Sequence, residues 1–218
     1  MRDHVKLALE SAFGIASPLI RRALAGALGL ALAACTPTST SQAPPPGPAV
    51  SPGQVFPGDN LTVTWPASEG WHLADTKPTQ WSFAKRGTQP DETYGAIISW
   101  HDLPPDITTP REFEIFVKQA ADADNANRFA NLRSAAEFSE ARPYPCVNYR
   151  ALGQAAPVPG QPASAKPLLL EELLLVCKNP MFPSVAFAAA YSHRGAAPDP
   201  HFDDDAANFF AGIQVPGH

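Results

Sequence analysis

From Thr36 to Pro57 the chain is almost without apolar residues and is broken by Pro44-Pro45-Pro46-Gly47-Pro48 and by Ser51-Pro52-Gly53. Such a stretch cannot bury enough surface to offset the entropy of ordering it. The folded part is therefore expected over 58–218, with 35–57 as a tether. Proline-rich chain extends by about 3.1 Å per residue, so a tether of this length reaches up to roughly 60 Å.

Upstream of the tether, Arg21-Arg22 precede an apolar run, Ala23 to Ala34, that closes on Leu32-Ala33-Ala34-Cys35. The run is too short to span a bilayer core, which takes about 20 apolar residues. A basic start, a short apolar core and small residues at its end are the marks of a cleavable export signal. A buried Ala/Leu helix is the competing reading, but the polar tract after Cys35 leaves it nothing to pack on. Met1 to Arg22 is long for such a start, and a later start codon would equally explain it.

This segment resembles the signal peptide and lipobox of bacterial lipoproteins. The resemblance implies that 1–34 is removed between Ala34 and Cys35. It implies too that Cys35 is lipidated on its thiol and its new amino group, and that the protein is anchored to a membrane facing the periplasm. Two or more acyl chains give stable anchoring where one does not. Thr36, in place of an aspartate after the lipidated cysteine, points to the outer rather than the inner membrane.

The whole chain carries a formal charge of −5. Residues 1–34 hold four basic and two acidic side chains, so the processed chain would be more acidic still, at −7. Nucleic-acid phosphates demand a basic face, so no nucleic-acid partner is expected. Electrostatic docking on anionic lipid is excluded for the same reason, leaving the membrane contact to the anchor. With Cys35 taken by lipid, Cys146 and Cys177 remain, and an even pair in an oxidising compartment usually forms a disulfide. Two buried free thiols are the alternative.

The domain reads as strands, helix, strands, helix. Leu61, Val63 and Trp65 alternate with threonines, and strands are expected at Trp71–Asp75, Gln80–Lys85 and Tyr94–His101, with a polar turn over Gly87–Thr93. Thr109-Pro110-Arg111-Glu112 is a helix start: a capping threonine, a proline in the first turn, and a glutamate placed to complete a capping box. Phe113, Phe116, Val117, Ala120 and Ala121 then form an apolar stripe, and the helix is expected to fail over Asp122–Asn127. Strands are expected at Ala135–Glu140 and Tyr144–Ala151, followed by a loop over Gly153–Pro167. Leu168–Cys177 satisfies a helix or a buried strand, but the prolines that bracket it and its pairing with 144–151 favour the strand. Val185, Phe187, Ala189 and Tyr191 mark another strand, and Pro200–Ala211 a closing helix with Phe202, Ala206, Phe209, Phe210 and Ile213 on one face.

This order gives an α+β fold, an antiparallel sheet packed with a central and a C-terminal helix. With its capped helix at Thr109 and its aromatic helix at Phe209-Phe210, the domain resembles the PsbP-like sandwich of several small bacterial lipoproteins. That resemblance implies a binding or assembly factor and carries no site motif.

No catalytic constellation is expected. There is no Gly-x-Ser-x-Gly turn. Ser192-His193-Arg194 reads as a strand end meeting solvent, and neighbours on a strand point to opposite faces, as do Glu171-Glu172. His201 before Asp203-Asp204-Asp205 reads as acidic residues complementing a helix dipole rather than as a metal site. Neither a metal nor a cofactor is expected. Of the four tryptophans, Trp71-His72 and Trp100-His101 stand at strand ends and are the candidate binding residues. The expected function is thus non-catalytic binding of a protein partner or envelope component by a lipid-anchored protein, with an envelope hydrolase or a small-molecule carrier as the alternatives. Radiolabelled palmitate fed to the native cell should label the wild-type protein in the membrane fraction, and Cys35→Ser should abolish both the label and the fractionation.

Overall fold

The computed structural model describes residues 47–216 except 59, 90 and 157–165. The leader, Ala34 and Cys35 with the first part of the tether, and most of the 153–167 loop lie outside the described residues. Two antiparallel sheets and two helices make up the rest. In chain order these are β1 (Val55–Pro57), β2 (Thr62–Thr64), β3 (Trp71–Lys77), β4 (Gln80–Arg86), β5 (Thr93–Asp102) and α1 (Pro110–Asn125). They are followed by β6 (Phe129–Ser139), β7 (Cys146–Ala155), β8 (Leu169–Lys178), β9 (Val185–Gly195), α2 (Phe202–Ala211) and β10 (Ile213–Gln214).

The large sheet has seven strands in the order β3-β4-β5-β9-β8-β7-β6. Two meanders, β3-β4-β5 and β6-β7-β8-β9, meet where β9 pairs with β5, with Ile97 opposite Ala190. The small sheet, β1-β2-β10, lies with α2 over one face of the large one, and α1 lies over the other. The domain is therefore an α+β fold in three layers.

Each layer boundary has its own core. Beneath the small sheet and α2, aromatic rings dominate. Trp65 packs 4.2 Å from Phe83, 5.2 Å from Trp71 and 5.4 Å from Phe209, centroid to centroid. Beneath α1 the core is mostly aliphatic, with Phe113, Val117 and Ala121 of the helix against Val147, Ala151 and Val176 of the sheet. Burial of this kind is worth about 25 cal/mol per Å² of apolar surface, so bulky rings on one face and small aliphatics on the other make the two sides unequal in strength.

α1 begins as its sequence dictates. The Thr109 hydroxyl accepts the Glu112 amide at 3.2 Å while Glu112 Oε2 accepts the Thr109 amide at 2.8 Å. These bonds, with those from Thr108, hold the Glu112 carboxyl down to about 2. Because β5 lies at the middle of the sheet and β6 at its edge, α1 must cross the face between them. It settles over β6 and β7, leaving β5, β9 and β8 less closely covered.

Several boundaries differ from the sequence reading. Ordered structure begins before 58: Val50 is buried, its amide bonds to Trp71 O at 2.8 Å, and β1 comes from the supposed tether. Local composition disfavours order there, but the edge of β3 and the aromatic core supply partners that no local pattern reveals. Residues 61–65 serve the small sheet. Ser192-His193-Arg194 is no solvent-facing strand end; it continues β9, and His193 is 1% exposed.

Leu169–Lys178 is a strand, and its pairing with β7 places Cys146 directly opposite Cys177. The two form a disulfide with Cα atoms 4.1 Å apart across a sequence separation of 31. In the chain-entropy model, a loop of that size contributes about 3–4 kcal/mol. Urea denaturation of a Cys146→Ala/Cys177→Ala variant should give a stability lower than that of the oxidised wild type by about that amount. An equal midpoint, or two titratable thiols in the unreduced protein, would contradict the bridge.

Candidate functional site

Where α1 leans away from the centre of the sheet, a groove opens between them with a cavity volume of about 60 Å³. One water needs roughly 10–15 Å³ on the same scale, so the space holds a chain of several heavy atoms. Its floor follows from alternation along β9. Phe187, Tyr191 and His193 turn toward the aromatic core, and Ala186, Ala188 and Ala190 turn toward α1. Three alanines in succession cannot reach the helix, and the gap is the groove.

Register arranges the floor in rows. His101 lies opposite Ala186, Ser99 opposite Ala188, and Ile97 opposite Ala190. On the other side, Val176 meets Ala188, Leu174 meets Ala190 and Glu172 meets Ser192. The alanine row spans four residues, about 14 Å at strand rise. The roof is one stripe of α1, Phe116-Val117, Ala120-Ala121 and Asp124-Asn125, two steps of four residues that cover about 12 Å. Floor and roof match in length. Both are mostly apolar, with Asp124, Asn125 and Glu172 gathered at one end and Ser99 and His101 on the β5 side toward the other.

One end carries Ser99, His101 and Asp102. Ser99 Oγ and His101 Nε2 share a hydrogen bond at 2.7 Å, and Ser99 is 5% exposed. Burial pulls the His101 imidazole below its ordinary value, with Asp102 opposing, so the ring is neutral near pH 7. Here the groove offers a hydroxyl and an imidazole able to donate or accept.

The other end carries Asp124, Asn125 and Glu172. Glu172 is held by an ion pair with Arg128 and by Asn125 Nδ2, which donates to Oε1 at 2.9 Å. Asn125 also donates to Tyr149 Oη at 3.3 Å, and Tyr149 in turn donates to Asp122 at 2.9 Å. Lys118 donates to Asp122 at 2.6 Å. This network locks the C-terminal turn of α1 to β6, β7 and β8. Asp124 stands outside it: among the described residues its carboxyl has neither hydrogen bond nor ion pair. Burial, and then repulsion from Glu172, raise it to about 6 against the pull of Arg128.

The tryptophan–histidine pairs, expected as surface binding residues at strand ends, do not share one exposed surface. Trp71 is a core residue at 1% exposure, its indole donating to Ser68 Oγ at 3.0 Å. His72 lies on the opposite face with Nδ1 2.9 Å from Gly47 O, tying down the incoming chain. Trp100 stacks edge-on against Trp81 at 5.1 Å, on the face away from α1. Of the four, His101 alone reaches the groove. Strand alternation separates each pair, which exposure arguments from the sequence overlook.

Ser99, Asp124, Asn125 and Glu172 carried no motif. The signals that could have found them are positional. Asp124-Asn125 prolong the helix stripe at i+4 from Ala120-Ala121, and Glu171-Glu172 interrupt an otherwise apolar strand. Glu171 points the other way, with Oε2 3.1 Å from His193 Nδ1 while Glu92 faces Nε2 at 3.2 Å. That cluster pins the 87–92 turn to β9. Asp203, in the first turn of α2, pairs with Arg150.

No family model matches the chain, and no curated protein does. Among solved structures, a crystal structure from Bacteroides thetaiotaomicron VPI-5482 aligns over 79% of this chain and 49% of its own, at 13% identity and a TM-score of 0.42. The chain thus spans about half the length of that protein.

The strain at Asp124 has a measurable sign. Its native carboxyl titrates near 6, above the ordinary carboxylate value near 4. Between these two values the native state holds a proton that the unfolded state has lost, so stability falls as pH rises through that window and the deficit persists above it. Asp124→Asn should therefore melt higher than wild type at pH 7, with the gap closing by pH 4. Solvent screening at this half-buried site limits the gain to about 1 kcal/mol. A pH-independent difference would refute the assignment.

Proposed function

We propose that this is a lipid-anchored protein of the cell envelope, held at Cys35 and facing the periplasm from the outer membrane, that binds an aliphatic envelope component without turning it over. The finer fold assignment, a PsbP-like sandwich, belongs to the same proposal, supported by an antiparallel sheet between helical layers. The observation that supports binding is the groove: a mostly apolar floor and roof of matching length, with polar groups clustered toward its two ends. Ligand sites of this kind take a chain in the middle and fix its orientation at the ends. A groove this narrow suits a single chain better than the helix or strand of a protein partner.

Ser99 bonded to His101 supports a second reading, hydrolysis of an ester bound in the same groove, since a serine activated by a neighbouring imidazole is the general form of a hydrolytic nucleophile. A fluorophosphonate probe separates the readings: labelling of wild type that is lost in Ser99→Ala would favour the hydrolase, and an unlabelled protein the binder.

Binding itself is tested by displacement of an environment-sensitive alkyl fluorophore. Ala188→Trp fills the floor from a position with open space above it, and should weaken the fluorophore by about tenfold or more, equivalent to about 1.4 kcal/mol, while circular dichroism stays unchanged. Equal affinity in wild type and the folded variant would place the ligand elsewhere.

A further inference from the structure

The geometry points to an aliphatic ligand that carries a cationic ammonium head, seated against Asp124 at the α1 C-terminal end of the groove. This rests on the groove being the binding site and adds the chemistry of the head group. Four observations carry it.

First, Asp124 is a half-buried carboxyl facing the cavity with neither hydrogen bond nor ion pair among the described residues. Its neighbour Glu172 is 3% exposed and already satisfied by Arg128 and Asn125, so the free acceptor at this end is Asp124. An ammonium group would supply the charge-assisted hydrogen bond that the site lacks, the stronger class of such bonds.

Second, the cations near this end are committed elsewhere. Arg128 is held by Glu172, and Lys118 by Asp122 and Ser134. Arg194, on the same face of β9, lies a further row beyond Ser192 and does not line the groove. A carboxylate or phosphate head would meet two carboxylates with no cation to spare.

Third, the opposite end does not reverse this preference. Asp102 is acidic, Ser99 and His101 are engaged with each other, and the imidazole is neutral. Neither end of the groove offers an unpaired positive charge.

Fourth, burial and then repulsion from Glu172 raise the titration of Asp124 against the pull of Arg128. A bound cation would relieve it, so ligand binding and ionisation of this group reinforce each other.

The test is isothermal titration of the folded domain at pH 7.5 with decylammonium, decanol and decanoate, each below its micellar concentration, on wild type and on Asp124→Asn. The chain is constant and the head alone varies. Wild type should bind decylammonium about tenfold more tightly than decanol, the equivalent of about 1.4 kcal/mol, and decanoate least. Asp124→Asn should bind decanol as wild type does and lose the preference for the amine. Three alkyl ligands that bind alike, decanoate binding tightest, or an amine preference that survives in Asp124→Asn would overturn the head-group inference and leave the apolar groove standing. Failure of all three to bind wild type would overturn both. Because Asp124→Asn removes a strained charge, it should fold at least as well as wild type. Ala188→Trp, which should weaken all three ligands equally, locates them in the groove.

Discussion

β9 is the strand on which the rest of the molecule depends. It joins the two meanders at the centre of the sheet, and its two faces have opposite character. Toward the small sheet it presents Phe187, Tyr191 and His193; toward α1 it presents Ala186, Ala188 and Ala190. Bulk on one side builds a close-packed aromatic layer that needs no filling. Its absence on the other leaves a trough that α1, committed to β6 and β7, does not close. A single period-two pattern therefore specifies both a core and a cavity.

What keeps the cavity open is the rigidity of its surroundings. The Cys146–Cys177 bridge ties β7 to β8 directly behind the floor. The capping box at Thr109 and Glu112 closes the first turn of α1. At its C-terminal end, Asp122, Asn125, Tyr149, Glu172 and Arg128 form a hydrogen-bonded cluster that joins α1, the turn before β6, β7 and β8. Phe113 and Val117, buried against the sheet, and this cluster hold α1 over β6 and β7 rather than over the alanines. Asp124, left out of that cluster, is the group whose energy the structure has not lowered, and such groups tend to gather at functional sites.

Much of the fold was legible in the chain. Alternation at Trp71–Asp75, Gln80–Lys85 and Tyr94–His101, the capping box, and the aromatic spacing of the last helix each report local periodicity, which survives tertiary packing. The proline bracket around Leu168–Cys177 and the pairing it permits also pointed to a strand. The first strand was not legible, because residues 47–57 are ordered by backbone bonds to β3 and by the core beneath Trp65, partners distant in sequence. The site was harder still. His101 was singled out for standing at a strand end beside a tryptophan, yet it matters because it faces away from that tryptophan, into the groove.

Sequence alone determined the α+β order and the capped start of α1, since each depends on near neighbours along the chain. Only the tertiary structure decided that three alanines, a serine, a histidine and a carboxyl from α1 share one cavity, and that Trp71 belongs to the core. The physical reason is that a groove is a mismatch between two surfaces. Its existence depends on how far α1 stands from β9, which crossover geometry and long-range packing set, and which no residue records by itself.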